Sequence, residues 1–122
     1  MFSYSIAEKE GIVLIEPSGP ITRRDIEALT GDVDDYVRRK GTIRGLIVHT
    51  RSFPRWQSVS SFLKDMRFVL AHQKRIRRVA SVTDSPLLML VHGIARHVFS
   101  PDIRHFPYGD LEAARKWIQE KS

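Results

Sequence analysis

The sequence predicts an α/β domain with a single-layer, mostly parallel five-stranded sheet, one antiparallel edge strand in a hairpin, and four helices. Three observations carry that expectation. Short β-branched runs alternate with segments of helical periodicity, which calls for parallel strands joined by right-handed crossovers. Two strand-like runs stand back to back around a turn before the first helix. The chain has 122 residues, enough for one core and too few for two, and no repeat, linker or low-complexity tract divides it, so residues 1–122 read as one domain.

The elements follow in order. Tyr4–Ile6 and Gly11–Glu16 read as strands around the turn-prone Glu8-Lys9-Glu10-Gly11, and the second is a continuous, β-branched run, as a buried strand should be. Pro17-Ser18-Gly19-Pro20 ends it. Thr22 with Asp25 three residues on is a capping box, and Ile26, Leu29, Val33, Tyr36 and Val37 then recur on one helical face. Arg38-Arg39-Lys40-Gly41 supplies cations and a glycine, which suits a helix C-terminus.

Leu46-Ile47-Val48 is the next buried strand, and Val59, Phe62, Leu63, Met66, Val69 and Leu70 mark the second helix. Arg77–Thr83 is a further central strand. Ser85-Pro86 places a cap residue before a first-turn proline, and a third helix runs through Leu87 to about His97. Ile103–Phe106 is the last strand. Asp110 stands where a cap belongs before a final helix whose buried side is Leu111, Ala114, Trp117 and Ile118.

Composition excludes several function classes. Without cysteine there are no disulfides, thiolate nucleophiles or thiolate metal sites, and the chain suits a reducing cytoplasm. No leader-like N-terminus is visible, and the longest nearly uncharged apolar stretch, Pro86–Ala95, is about half the length of a membrane span, so an integral membrane protein is not expected. The net charge of +6 raises the alternative of a basic nucleic-acid-associated protein. However, the clusters Arg38-Arg39-Lys40 and Lys74-Arg75-Ile76-Arg77-Arg78 sit just before strands, where cations solvate helix C-termini, and no aromatic residues interleave them. Nucleic acid is therefore the disfavoured partner.

No catalytic set emerges either. His49, His72, His92, His97 and His105 form no metal-ligand pattern, no nucleophile elbow is present, and no cofactor motif appears. Only His49, near the end of a central strand beside Thr50 and Arg51, stands out among the histidines.

In open parallel sheets ligands bind beyond the carboxyl ends of the strands, where helices begin. Here those ends are Pro17–Thr22, Thr50–Ser58, Thr83–Pro86 and Phe106–Asp110. The richest carries Thr50, Arg51, Ser52, Arg55, Trp56 and Ser58, with Asp84 and Ser85 at the neighbouring end. Two arginines beside a helix start can hold a carboxylate or phosphate with Trp56 as a stacking wall; alternatively, Phe53 and Trp56 close the core and the arginines face water. The second expected surface is Leu87, Leu88, Met89 and Val91, in a helix apolar all round. Such a helix is either deeply buried or covered by something else: a second copy in a homodimer, another protein, or a lipophilic molecule.

Taken together, Gly19-Pro20-Ile21-Thr22-Arg23-Arg24-Asp25, the strand Gly45–Val48 leading to Phe53-Pro54-Arg55-Trp56, the segments Phe62–Phe68 and Ile76–Asp84, and Ile103–Phe106 followed by Ala113–Ile118 resemble the SpoIIAA-like branch of the STAS fold, from about residue 4 to 119. The resemblance implies kinship with STAS and CRAL-TRIO domains, which regulate or bind rather than catalyse. A Met-containing apolar helix is also what a lipid-binding relative would use. The anti-sigma antagonists of that fold carry an Asp-Ser-(small)-Gly motif whose serine is phosphorylated. Here the corresponding segment reads Arg55-Trp56-Gln57-Ser58-Val59-Ser60-Ser61, with Ser58 the nearest counterpart and a helix cap its simpler role.

Overall fold

A computed structural model describes residues 2–17, 22–41, 43–51, 76–84 and 102–120. The elements are β1 (Phe2–Ala7), β2 (Ile12–Pro17), α1 (Arg23–Lys40), β3 (Gly45–His49), β4 (Arg78–Val82), β5 (Asp102–Phe106) and α2 (Leu111–Gln119). They form one five-stranded sheet in the order β1-β2-β3-β4-β5. β1 pairs antiparallel with β2, and every later neighbour is parallel. The expected mixed sheet with an antiparallel edge hairpin is thus present. Of the four expected helices, the first and last are α1 and α2, and the middle two lie outside the described residues.

Side chains alternate across the strands with a period of two, so each strand contributes to two cores. Val13, Ile15, Leu46 and Val79 meet Leu29, Val33 and Tyr36 of α1 on one face. Ile12, Ile47, Ala80, Val82 and Phe106 meet Ala114 and Ile118 of α2 on the other. Burial on both faces explains the unbroken apolar runs Ile12–Ile15 of β2 and Leu46–Val48 of β3, whereas β5, at the edge, alternates with exposed Asp102 and Arg104.

Local chemistry sets the boundaries. Gly11 closes the β1–β2 turn at φ 71°, a left-handed conformation that a residue with a Cβ adopts only at a cost. Its N–H donates to Ala7 O at 2.8 Å, and its carbonyl accepts from Arg44 N at 2.8 Å, tying the turn to the start of β3. The strand begins at Ile12 rather than Gly11 for that reason. Gly41, at φ 104°, ends α1 with its N–H on Val37 O at 2.8 Å.

The capping box of α1 is complete. Asp25 N donates to Thr22 Oγ1 at 3.2 Å, and Thr22 N donates to Asp25 Oδ2 at 2.9 Å. That backbone donor holds the Asp25 carboxyl below its usual range. Because the folded state prefers the carboxylate, this stability is present at neutral pH and is lost as the pH falls through the folded-state pKa. Thr22→Ala is expected to cost about 1 kcal/mol at neutral pH. Urea midpoints should show that penalty at pH 7, whereas Asp25→Asn, which removes the titrating acceptor, should show a penalty that shrinks towards pH 3.

Side-chain bonds then fasten α1 to the hairpin. Tyr36 Oη donates to Glu8 O at 2.9 Å, and Thr30 Oγ1 donates to Ile26 O at 2.8 Å, so two polar groups of the buried face are satisfied. Tyr4 Oη donates to Asp32. Burial and that carboxylate push the Tyr4 phenol up to about 12.

At the other end of the chain the expected cap is not made. Asp110 precedes α2 with φ −103° and ψ 39°, and its side chain accepts no backbone hydrogen bond there. Capping requires an extended backbone at that position, and this one is not extended.

Candidate functional site: the carboxyl pole of the sheet

β2, β3, β4 and β5 all end at one pole, and five described side chains converge there. Glu16 and His49 are cross-strand neighbours, since Ile15 faces Val48 in the register just before them. His49 is largely buried, with 11% of its side chain exposed, and its Nδ1 lies 3.3 Å from Glu16 Oε2. Its Nε2 lies 3.1 Å from Tyr108 O. A carbonyl only accepts, so Nε2 carries the proton in that bond.

Tyr108 comes from the turn after β5, and that turn is folded back over the strand ends. Its ring stacks on the His49 imidazole with centroids 4.3 Å apart and planes 15° from parallel. On the same phenol ring lies the Arg51 guanidinium, 4.5 Å from the centroid. The Tyr108 N–H donates to Asp84 Oδ1 at 3.1 Å. Imidazole, phenol and guanidinium therefore stand together across the ends of β3 and β5, with Arg51 exposed.

Beneath this layer the floor is closed. Thr50 N donates to Val82 O at 3.2 Å and Thr83 N to Phe106 O at 2.9 Å, and both threonines are buried. His105 Nε2 lies 2.7 Å from Thr83 O. Thr50 thus belongs to the foundation of the pole rather than to its open surface.

The electrostatics are uneven. Glu16 faces His49 and Asp84 accepts from Tyr108, so both carboxylates of the pole are engaged inside the protein. No acid forms an ion pair with Arg51 among the described residues. A guanidinium held over an aromatic ring, without an acid partner, has N–H donors to offer a carboxylate or phosphate.

Of the residues expected at this site, Arg51 and Asp84 are brought together through Tyr108, and Thr50 lies directly below. Ser52, Arg55, Trp56, Ser58 and Ser85 fall outside the described residues, as do Leu87, Leu88, Met89 and Val91. Tyr108 and Glu16 are the members that sequence reasoning missed. A turn-forming Pro107-Tyr108-Gly109 directly after a strand end was the available signal for the first. No cluster of three metal-ligating side chains occurs among the described residues. No described helix is long and apolar enough to cross a membrane.

A mixed five-stranded sheet with an antiparallel edge hairpin and a helix on each face has the architecture of a STAS-type module. Residues 12–119 match the SpoIIAA-like family, and the chain belongs to it. The match begins at the first residue of β2, so β1 and its turn lie outside the matched region, although the resemblance was expected to start near residue 4. No curated protein and no solved structure matches the chain.

Proposed function

We propose that this chain is a non-enzymatic STAS-type regulatory or binding module of the cytoplasm, acting at the carboxyl pole of its sheet through a partner protein or a small anionic or apolar ligand. One observation carries the reading: Arg51 lies exposed over Tyr108, while the neighbouring carboxylates are engaged elsewhere. Membership in the SpoIIAA-like family supports the regulatory class. The remaining ligand-facing residues of the proposal are Ser52, Arg55, Trp56, Ser58 and Ser85. Its apolar surface is Leu87, Leu88, Met89 and Val91, which follow Asp84 closely in sequence.

Chemical-shift titration of the protein with inorganic phosphate, and separately with acetate, tests the anionic part. The Tyr108 amide and the Arg51 side chain should shift in the natural chain, and the Tyr108 amide should stay put in Arg51→Ala. That variant should keep its stability to within about 0.5 kcal/mol, because the residue is exposed. Equal shifts in both proteins would remove Arg51 from the site. Native mass spectrometry of the purified protein tests the wider reading by revealing any acid or lipid that travels with it.

A further inference from the structure

The two edges of the sheet are built differently. β5 carries Asp102, Arg104 and His105, charged or titratable side chains of the kind that keep an edge from pairing with another molecule. β1 reads Phe2-Ser3-Tyr4-Ser5-Ile6-Ala7, six residues without a charge, a proline or a glycine. Its register with β2 runs unbroken from Phe2↔Pro17 to Ala7↔Ile12, so no bulge twists the strand away. The order of the sheet ends at β1, and no described residue pairs with its outer side.

We infer that the outer edge of β1 pairs with β1 of a second copy of this chain. Two identical strands related by a two-fold axis perpendicular to the sheet run antiparallel, and the backbone groups that β2 leaves unbonded meet their own kind across that axis. The two sheets then continue into one, and both copies of α1 lie on the same face. Because β5 is charged, each chain offers a single uncharged edge, so the assembly closes at two and does not grow into a fibre.

The side chains fit such a contact. Ser3 and Ser5 are exposed and small, so no bulky side chain crowds the contact, while Tyr4 and Ile6 pack against the α1 core. The family match begins at Ile12, so this edge is not accounted for by family membership. The interface is separate from the carboxyl pole and does not depend on the reading given to that pole.

Sedimentation velocity over a concentration series should show the full chain passing from monomer to dimer. The double variant Ser3→Lys/Ser5→Lys places cations face to face across the two-fold axis and should sediment as a monomer throughout, with an unchanged circular dichroism spectrum. Should the variant fail to fold, hydrogen exchange on the natural chain decides the matter: the β1 amides not bonded to β2 must gain protection as concentration rises. A natural chain that stays monomeric up to about 1 mM, the weak limit of specific association, overturns the proposal. So does a folded lysine variant that still dimerises, and so do β1 amides whose exchange ignores concentration.

Discussion

Gly45→Val should cost about 3 kcal/mol of stability, a large share of what holds a domain of this size together. The first Cβ added at Gly45 would stand 2.5 Å from Ile118 Cγ2, 2.9 Å from Ile118 Cδ1 and 3.0 Å from Arg78 O. Ile118 is itself buried at the centre of the α2 face, so it has little room to turn aside. The strand neighbour offers only a backbone carbonyl, which cannot move without disturbing the β3–β4 ladder. Valine therefore has to lift α2 from the sheet. A urea titration should show a lower midpoint, and the resonances of Ala114 and Ile118 should move most. An unchanged midpoint would mean that α2 does not sit where the Gly45 gap places it.

Arg78→Ala is expected to cost about 2 kcal/mol, although arginines at strand starts are ordinarily replaceable. Its Nη1 donates to the Trp117 carbonyl in the last turn of α2, and its guanidinium lies 5.2 Å from the Trp117 ring centroid. Glu120 approaches to 3.9 Å, and only 14% of the Arg78 side chain is exposed. Alanine would leave a carbonyl at the helix end without its donor and uncover one face of Trp117. Arg78→Lys should recover part of the loss, because a lysine keeps the charge near the helix end but lacks the flat surface that stacks on indole. The urea midpoints of both variants, with the Trp117 indole resonance as the local report, check this. Equal midpoints for alanine and lysine would show that the stacking contributes nothing.

Arg78 also shows where sequence reading stops. It belongs to a basic cluster that reads as a solvated cap, yet its side chain is largely buried and the helix end it meets is that of α2. The cation serves the C-terminus of α2, thirty-nine residues further on. Features made by neighbours in sequence were legible for a plain reason: the capping box, the Gly41 stop and the face Ile26-Leu29-Val33-Tyr36 depend on spacings of three or four residues. The Asp110 cap was equally local and still failed, because residue type alone does not set the backbone angles a cap needs.

The carboxyl pole was legible as a place and only partly as a set of residues. Strand ends follow from topology, and topology follows from the order of runs. His49 drew notice for its position, but nothing near it in sequence announces Tyr108, fifty-nine residues away. Gly45 likewise looks like an ordinary strand-start glycine until Ile118 is seen against it. In each case a pairwise contact made by the fold decides the role, and no periodicity encodes it.

The two cores close at different moments in the life of the chain. The α1 face draws its helix and first strands from residues 13 to 46, which leave a ribosome one after another. The α2 face joins Ile12 to Ile118, the first and the last but one of the residues in the matched region. While the protein is being made, Ile12, Ile47, Ala80 and Val82 therefore wait for the contacts that Ala114 and Ile118 of the last helix supply. Until those contacts form, this part of the newborn chain has apolar side chains without their final neighbours, which leaves it open to wrong contacts.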